Sequence, residues 1–136
     1  MASILNPYLN FADSTRSAME FYRDVFGGEL TVMTFGDMGG EPADGVMHAH
    51  LATSAGFTLM ASDMPPGGTP PGTSGPISIS LSGDDEADLT GWFERLADDG
   101  SVLEPLQQQV WGDAFGMCTD RFGITWLVNI SGQPAN

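Results

Sequence analysis

His48 and His50 are the only histidines in the chain, and they stand two apart in the strand-like run 46–53. Side chains two apart on a strand share a face. The pair therefore offers a two-imidazole half-site for a metal, or one general base beside a neutral partner. A plainer reading is preferred: two histidines on a concave or edge face in ordinary hydrogen bonds. No carboxylate or third histidine is spaced to complete a triad. Cys118, the single cysteine, lies in a strand-like run with no base beside it and reads as a small buried hydrophobe. Asp63 ends one apolar run and Asp113 sits in the turn Trp111-Gly112-Asp113; each either reaches a cavity mouth or serves as a cap. Trp111 and Phe115 make an aromatic wall for a flat ligand if exposed, and staple an interface if buried.

Composition narrows the chemistry further. Eighteen acids stand against four arginines and no lysine, a net charge of −14. Such a surface repels phosphate backbones, so DNA and RNA are excluded as direct partners. Without lysine there is no Schiff-base or P-loop chemistry. The acidity reads first as solubility, and second as attraction for a cationic small molecule. No run approaches the ~20 apolar residues of a membrane span, so no membrane partner is expected. The N-terminus lacks the basic and apolar regions of a secretion signal. One cysteine excludes an intrachain disulfide, and the expected location is the cytoplasm.

The elements that must position these residues occur twice. Residues 6–11 form a short apolar run, followed by a helix pattern at Ala18, Phe21, Tyr22, Val25 and Phe26 that closes at Gly27-Gly28. Residues 76–82 form another, followed by Leu89, Trp92, Phe93, Leu96 and Ala97, closing at Gly100. Both fit the helical template, displaced by 71 residues (89 minus 18). Of these, Phe21, Tyr22, Trp92 and Phe93 are expected in the core. Asp13-Ser14 is the expected N-cap of the first helix. Strands are predicted at 29–35, 46–53 and 57–63, then at 102–110, 114–119 and 124–130, with an irregular loop at 36–45. Residues 64–75 hold four prolines and four glycines in twelve positions and read as a linker. The prediction is an α+β fold of two βαβββ modules in one domain spanning 1–136. Module one covers about 4–63, the linker about 64–75 and module two about 76–131; residues 132–136 read as a frayed tail.

Several motifs resemble those of the vicinal oxygen chelate superfamily, and within it the PhnB-like branch labelled after glyoxalase, bleomycin resistance or demethylubiquinone methyltransferase. They are Tyr8-Leu9-Asn10-Phe11, Ala18-Met19-Glu20-Phe21-Tyr22, Met47-His48-Ala49-His50-Leu51, Trp111-Gly112-Asp113-Ala114-Phe115-Gly116 and Asp120-Arg121-Phe122-Gly123-Ile124-Thr125-Trp126. The resemblance implies curved sheets around a shared cleft, commonly with dimerisation, so a homodimer is expected. It also implies one metal ligand from the first and last strand of each module. Those positions fall on Asn6 and Met60 (or Leu59), and on Ser78 (or Ile77) and Leu127. None is His, Asp or Glu, so no tight divalent metal and no cofactor is expected. What remains for metal is the His48–His50 pair with water, a weak, pH-dependent site. The methyltransferase label finds no counterpart, since no glycine-rich loop joins a buried strand to a helix.

Alternation assigns the cavity-facing residues. With Leu9 and Phe11 under the first helix, Asn6, Tyr8 and Asn10 face the concave side, as do Thr58, Met60 and Ser62. With Ile77, Ile79 and Leu81 under the second, Ser78, Ser80 and Ser82 face it, joined by Thr125, Leu127 and Asn129. This neutral, hydroxyl- and amide-rich lining orients a small ligand by hydrogen bonds. The expected function is capture of a small molecule, an antibiotic or metabolite, without the ancestral metal. The alternative is a metal-assisted or His-dependent lyase, isomerase or dioxygenase using His48 and His50.

Overall fold

The computed structural model describes residues 3–41, 43–64 and 76–132. The expected linker beyond Met64 and the expected tail beyond Gly132 lie outside the described residues. The chain divides into two compact units, 1–71 and 72–136.

The first unit runs β1 (Tyr8–Phe11), α1 (Thr15–Phe26), β2 (Glu29–Thr34), a single 3-10 turn (Gly36–Met38), β3 (Val46–Ala52) and β4 (Thr58–Asp63). Its sheet has the order β1-β4-β3-β2, with β1 parallel to β4 and the other pairs antiparallel. The second unit runs β5 (Ile79–Gly83), α2 (Glu86–Ala97), β6 (Ser101–Gln108), β7 (Ala114–Thr119) and β8 (Thr125–Ile130), in the order β5-β8-β7-β6. Two α-helices and eight strands thus build two mixed sheets of the α+β type foreseen, among the described residues.

Each helix covers one face of its own sheet. In α1 the buried stripe is Thr15, Ala18, Met19, Tyr22, Val25 and Phe26, the i, i+3, i+4, i+7 spacing that turns one face inward. It meets Leu9, Phe11, Ala49, Leu51, Leu59 and Ala61, all buried. In α2 the stripe narrows to Leu89, Phe93 and Leu96 over Leu81, Cys118, Trp126, Val128 and Ile130. Full burial of each large side chain in these stripes contributes about 1.5–3 kcal/mol.

Four expectations change. Phe21 and Trp92 are half-buried on the flanks of their helices, while Met19 takes a core position. Ile77 is 71% exposed and precedes β5, because the ladder to β8 begins only at Ile79. The loop after β2 contains a 3-10 turn, held where Thr34 N donates to Asp37 Oδ2 and Asp37 N donates to Thr34 Oγ1. Ser14 makes no side-chain cap on α1. The cap comes from outside the helix: Thr15 N donates to Asp63 Oδ1 (3.1 Å), and Val46 N donates to Asp63 Oδ2 (2.8 Å). One buried carboxylate therefore joins the start of α1, the start of β3 and the end of β4. By contrast α2 has a local cap, with Asp88 N donating to Asp85 Oδ1.

Candidate functional site

The face of the first sheet turned away from α1 carries most of the chemistry. The strand registers set Tyr8 beside Met60, Met60 beside His50 and His50 beside Thr31, one row across all four strands. Beside that row, Asn10 is paired with Ser62, and His48 with Met33. Period-two alternation places Leu9, Ala49, Leu59 and Ala61 on the opposite, buried face.

Within this surface two side chains reach each other. Tyr8 Oη lies 3.3 Å from His48 Nδ1, with ring centroids 5.8 Å apart and planes tilted by 35°. The distance is at the long end for a hydrogen bond. The phenol donates when Nδ1 is bare, and the imidazole donates when Nδ1 carries the proton. Tyr8 is 46% and Met33 42% exposed, so the face is open to a ligand. Tyr8, Asn10, His48, His50, Met60 and Ser62 are therefore brought together. Asn6 precedes β1 and takes no part in the ladder. Sequence reasoning missed Thr31 and Met33; the signal for them was the alternation of β2 read through its register with β3.

Asp63 does not belong to this surface. It points to the helix side, 8% exposed, with an oxygen for each of two backbone amides. Its duty is that of a cap.

The corresponding face of the second sheet is plainer. Ser80 pairs with Leu127 and Leu127 with Met117; Ser82 pairs with Asn129 and Asn129 with Phe115. Ser78 lies ahead of β5. Asn129 Nδ2 donates to Asp113 Oδ2 (3.1 Å), and Gly132 N donates to Asp113 Oδ1 (2.8 Å). The Gly132 amide, then the Asn129 amide, hold the Asp113 carboxyl below its ordinary pKa. Asp113 thus fastens the β6–β7 turn to the residues after β8. Trp111, in that turn, is 62% exposed, while Phe115 is half-buried. Burial, then the neighbouring Asp120 carboxylate, push the Cys118 thiol up to about 11. It stays protonated at neutral pH and is a poor nucleophile.

Among the described residues, no group of three or more His, Cys, Asp or Glu side chains gathers as a metal-binding set. No described helix is long and apolar enough to cross a membrane.

A model of the glyoxalase/bleomycin resistance protein/dioxygenase superfamily matches residues 4–128. Protein YjdN of Escherichia coli is 28% identical, over 95% of this chain and 96% of its own length. An uncharacterised protein of Mycobacterium bovis is 34% identical, over 96% of this chain and 82% of its own. Among solved structures, protein PA1353 of Pseudomonas aeruginosa superimposes with a TM-score of 0.86 at 39% identity, covering 97% of this chain and all of that one. The PhnB protein of Bacillus cereus shares the fold, with a TM-score of 0.73 at 22% identity over 95% of this chain and 100% of its own.

Proposed function

The chain belongs to the glyoxalase/bleomycin resistance protein/dioxygenase superfamily, and from that premise we propose that it is a small-molecule-binding protein that works without a tightly held divalent metal. The observation that carries this reading is the open face of the first sheet, where Tyr8 and His48 stand together beside Met60 and His50. A phenol, two imidazoles, two thioethers and the Asn10 amide give a ligand directional hydrogen bonds beside a polarizable apolar floor. No carboxylate of that row balances a divalent charge. The residues at the family's metal positions are an amide, a thioether, a hydroxyl and an isobutyl group, which do not fit zinc, nickel, iron or manganese.

Elemental analysis of protein purified without a histidine tag is the direct test. Metal well below one equivalent is expected, and whatever binds weakly should disappear in His48→Ala/His50→Ala. Near-stoichiometric metal surviving that double substitution would overturn the reading.

One observation favours a second reading, that of an acid–base enzyme. The Tyr8 hydroxyl and His48 Nδ1 form a pair able to pass a proton. A turnover that Tyr8→Phe slows without changing ligand affinity selects this reading; an affinity loss alone selects capture.

The protein is further proposed to act as a homodimer. Strand β6 is the outer strand of its sheet, and Val102 and Leu103 on it are 50% and 52% exposed, liabilities that a second copy covers. Light scattering should report about twice the 14.4 kDa chain mass. A monomer mass from micromolar to near-millimolar protein rejects the dimer.

A further inference from the structure

The two units differ at the starts of their helices. A shift of 71 residues maps the core positions of α1 onto those of α2: Ala18 on Leu89, Tyr22 on Phe93 and Val25 on Leu96, all buried. Three positions on the same inner stripe break the pattern: at the far end Phe26, buried, becomes Ala97, half-buried, and the other two lie at the near end. Met19, fully buried, becomes Thr90, which is half-buried; Thr15, fully buried, becomes Glu86, which is exposed. The strand ends differ in the same place. Phe11 pairs with Asp63 in one unit and Gly83 with Ile130 in the other, so Ile130 stands where the first unit has its tying carboxylate.

The result is a groove of about 500 Å³ in the second unit, lined by Glu86, Thr90, Leu106, Gln108, Ala114 and Ile130 among others. The same end of the first unit has a recess of only about 210 Å³ beside Asp63, whose oxygens are already occupied by the Thr15 and Val46 amides. Leu106, Ala114 and Ile130 supply an apolar floor. Thr90 adds a hydroxyl one helical turn beyond Glu86, and Gln108 Nε2 donates to Gly112 O (3.5 Å) at the rim. Among the described residues, Glu86 is the one acidic or basic side chain in the lining.

We propose that this groove binds a small organic ammonium ion, its charge against Glu86 and its hydrocarbon body over Leu106, Ala114 and Ile130. Helix α2 begins here, and the partial positive charge of a helix start, about half a unit, opposes a cation. Asp85, Glu86 and Asp88 in the cap and first turn outweigh it. The Asp88 amide is also occupied by Asp85. An anion, conversely, meets the Glu86 carboxylate and, among the described residues, no lining cation. The site is built from residues of the second unit alone, and its test does not depend on the reading of the first sheet.

The probes are n-hexylammonium, n-hexanol and n-hexanoate, three amphiphiles of one chain length, titrated into the ¹⁵N-labelled protein and followed by amide shifts. Hexylammonium should give saturable shifts centred on Thr90, Gln108 and Gly112, with hexanol weaker and hexanoate absent. Glu86→Gln should weaken hexylammonium about three- to fivefold, the size of a partly exposed charge pair, while Glu94→Gln on the outer face of α2 leaves it unchanged. Thr90→Met restores the side chain that fills the position in the first unit and should abolish binding in a protein with an otherwise intact spectrum. Shifts spread over the acidic surface without saturation, equal binding of hexanoate, or unchanged binding in folded Thr90→Met each overturn the proposal.

Discussion

Replacing Asp120 with alanine should lower the unfolding free energy by about 4 kcal/mol, a large share of the 5–15 kcal/mol that holds a typical domain together. Asp120 is 3% exposed. Its Oδ1 accepts the Phe122 amide at 2.8 Å and the Ile124 amide at 3.1 Å, and its Oδ2 accepts Trp126 Nε1 at 2.8 Å. Trp126 is itself fully buried. Alanine strands an indole N–H in the core and removes the acceptor of two turn amides, at about 1–3 kcal/mol for each group that water cannot reach. Asp120→Asn should cost about half as much, since its oxygen still serves one side while its amide group faces a donor on the other. Urea titrations followed by tryptophan fluorescence give the values. A loss below about 1 kcal/mol for the alanine variant would mean that water replaces the carboxylate, and the assigned role fails.

Gly28→Ala should be comparably damaging, by about 3 kcal/mol or more. Gly28 sits between α1 and β2 at φ +113°, a conformation L side chains rarely adopt. A Cβ there would lie 2.1 Å from the Ala52 carbonyl oxygen and 2.7 Å from Thr53 Cα, both backbone atoms that cannot rotate away. The second unit repeats the constraint: a Cβ on Gly100 would lie 2.1 Å from the Thr119 carbonyl oxygen. The control is Gly91→Ala within α2, where a Cβ meets nothing within 4 Å. It should stabilise by about 0.5–1 kcal/mol, the helix propensity difference. Equal chemical denaturation midpoints for Gly28→Ala and Gly91→Ala would refute the steric account.

These two sites show what a linear reading captures and what it leaves out. The glycines closing both helices were visible because the helix pattern stops there twice. So were the strands, since alternation in 46–53 and 57–63 marks which face turns inward. Asp63 was different. Its place at the end of a strand was plain, but the amides it holds belong to residues 48 and 17 positions away. The parallel β1–β4 pairing brings Thr15 within reach, and the antiparallel β3–β4 pairing brings Val46. Ser14 looked the better cap because local spacing is all that sequence displays. The open face was legible as a set, through Tyr8, Asn10, His48, His50, Met60 and Ser62. The contact of Tyr8 with His48 was not, because it crosses two strand boundaries. The groove beside Thr90 was hidden for a further reason: the helix template counts apolar matches, and a single polar residue on the inner stripe does not break it.

The parallel pairing of first and last strand also dictates an order of assembly. Tyr8 meets Met60 across 52 residues (60 minus 8) and Ser80 meets Leu127 across 47 (127 minus 80). Hairpins β2–β3–β4 and β6–β7–β8 can form locally, but each outer strand must be captured after its partner exists. Every ladder of the first sheet is made within residues 8–63, so a ribosome has supplied all of it before it reaches β5. At about 5–20 residues per second, the first unit has several seconds to close its sheet before the last strand of the second emerges. Vectorial synthesis thereby keeps two repeats of one topology from exchanging their similar edge strands, a hazard that refolding from denaturant would expose.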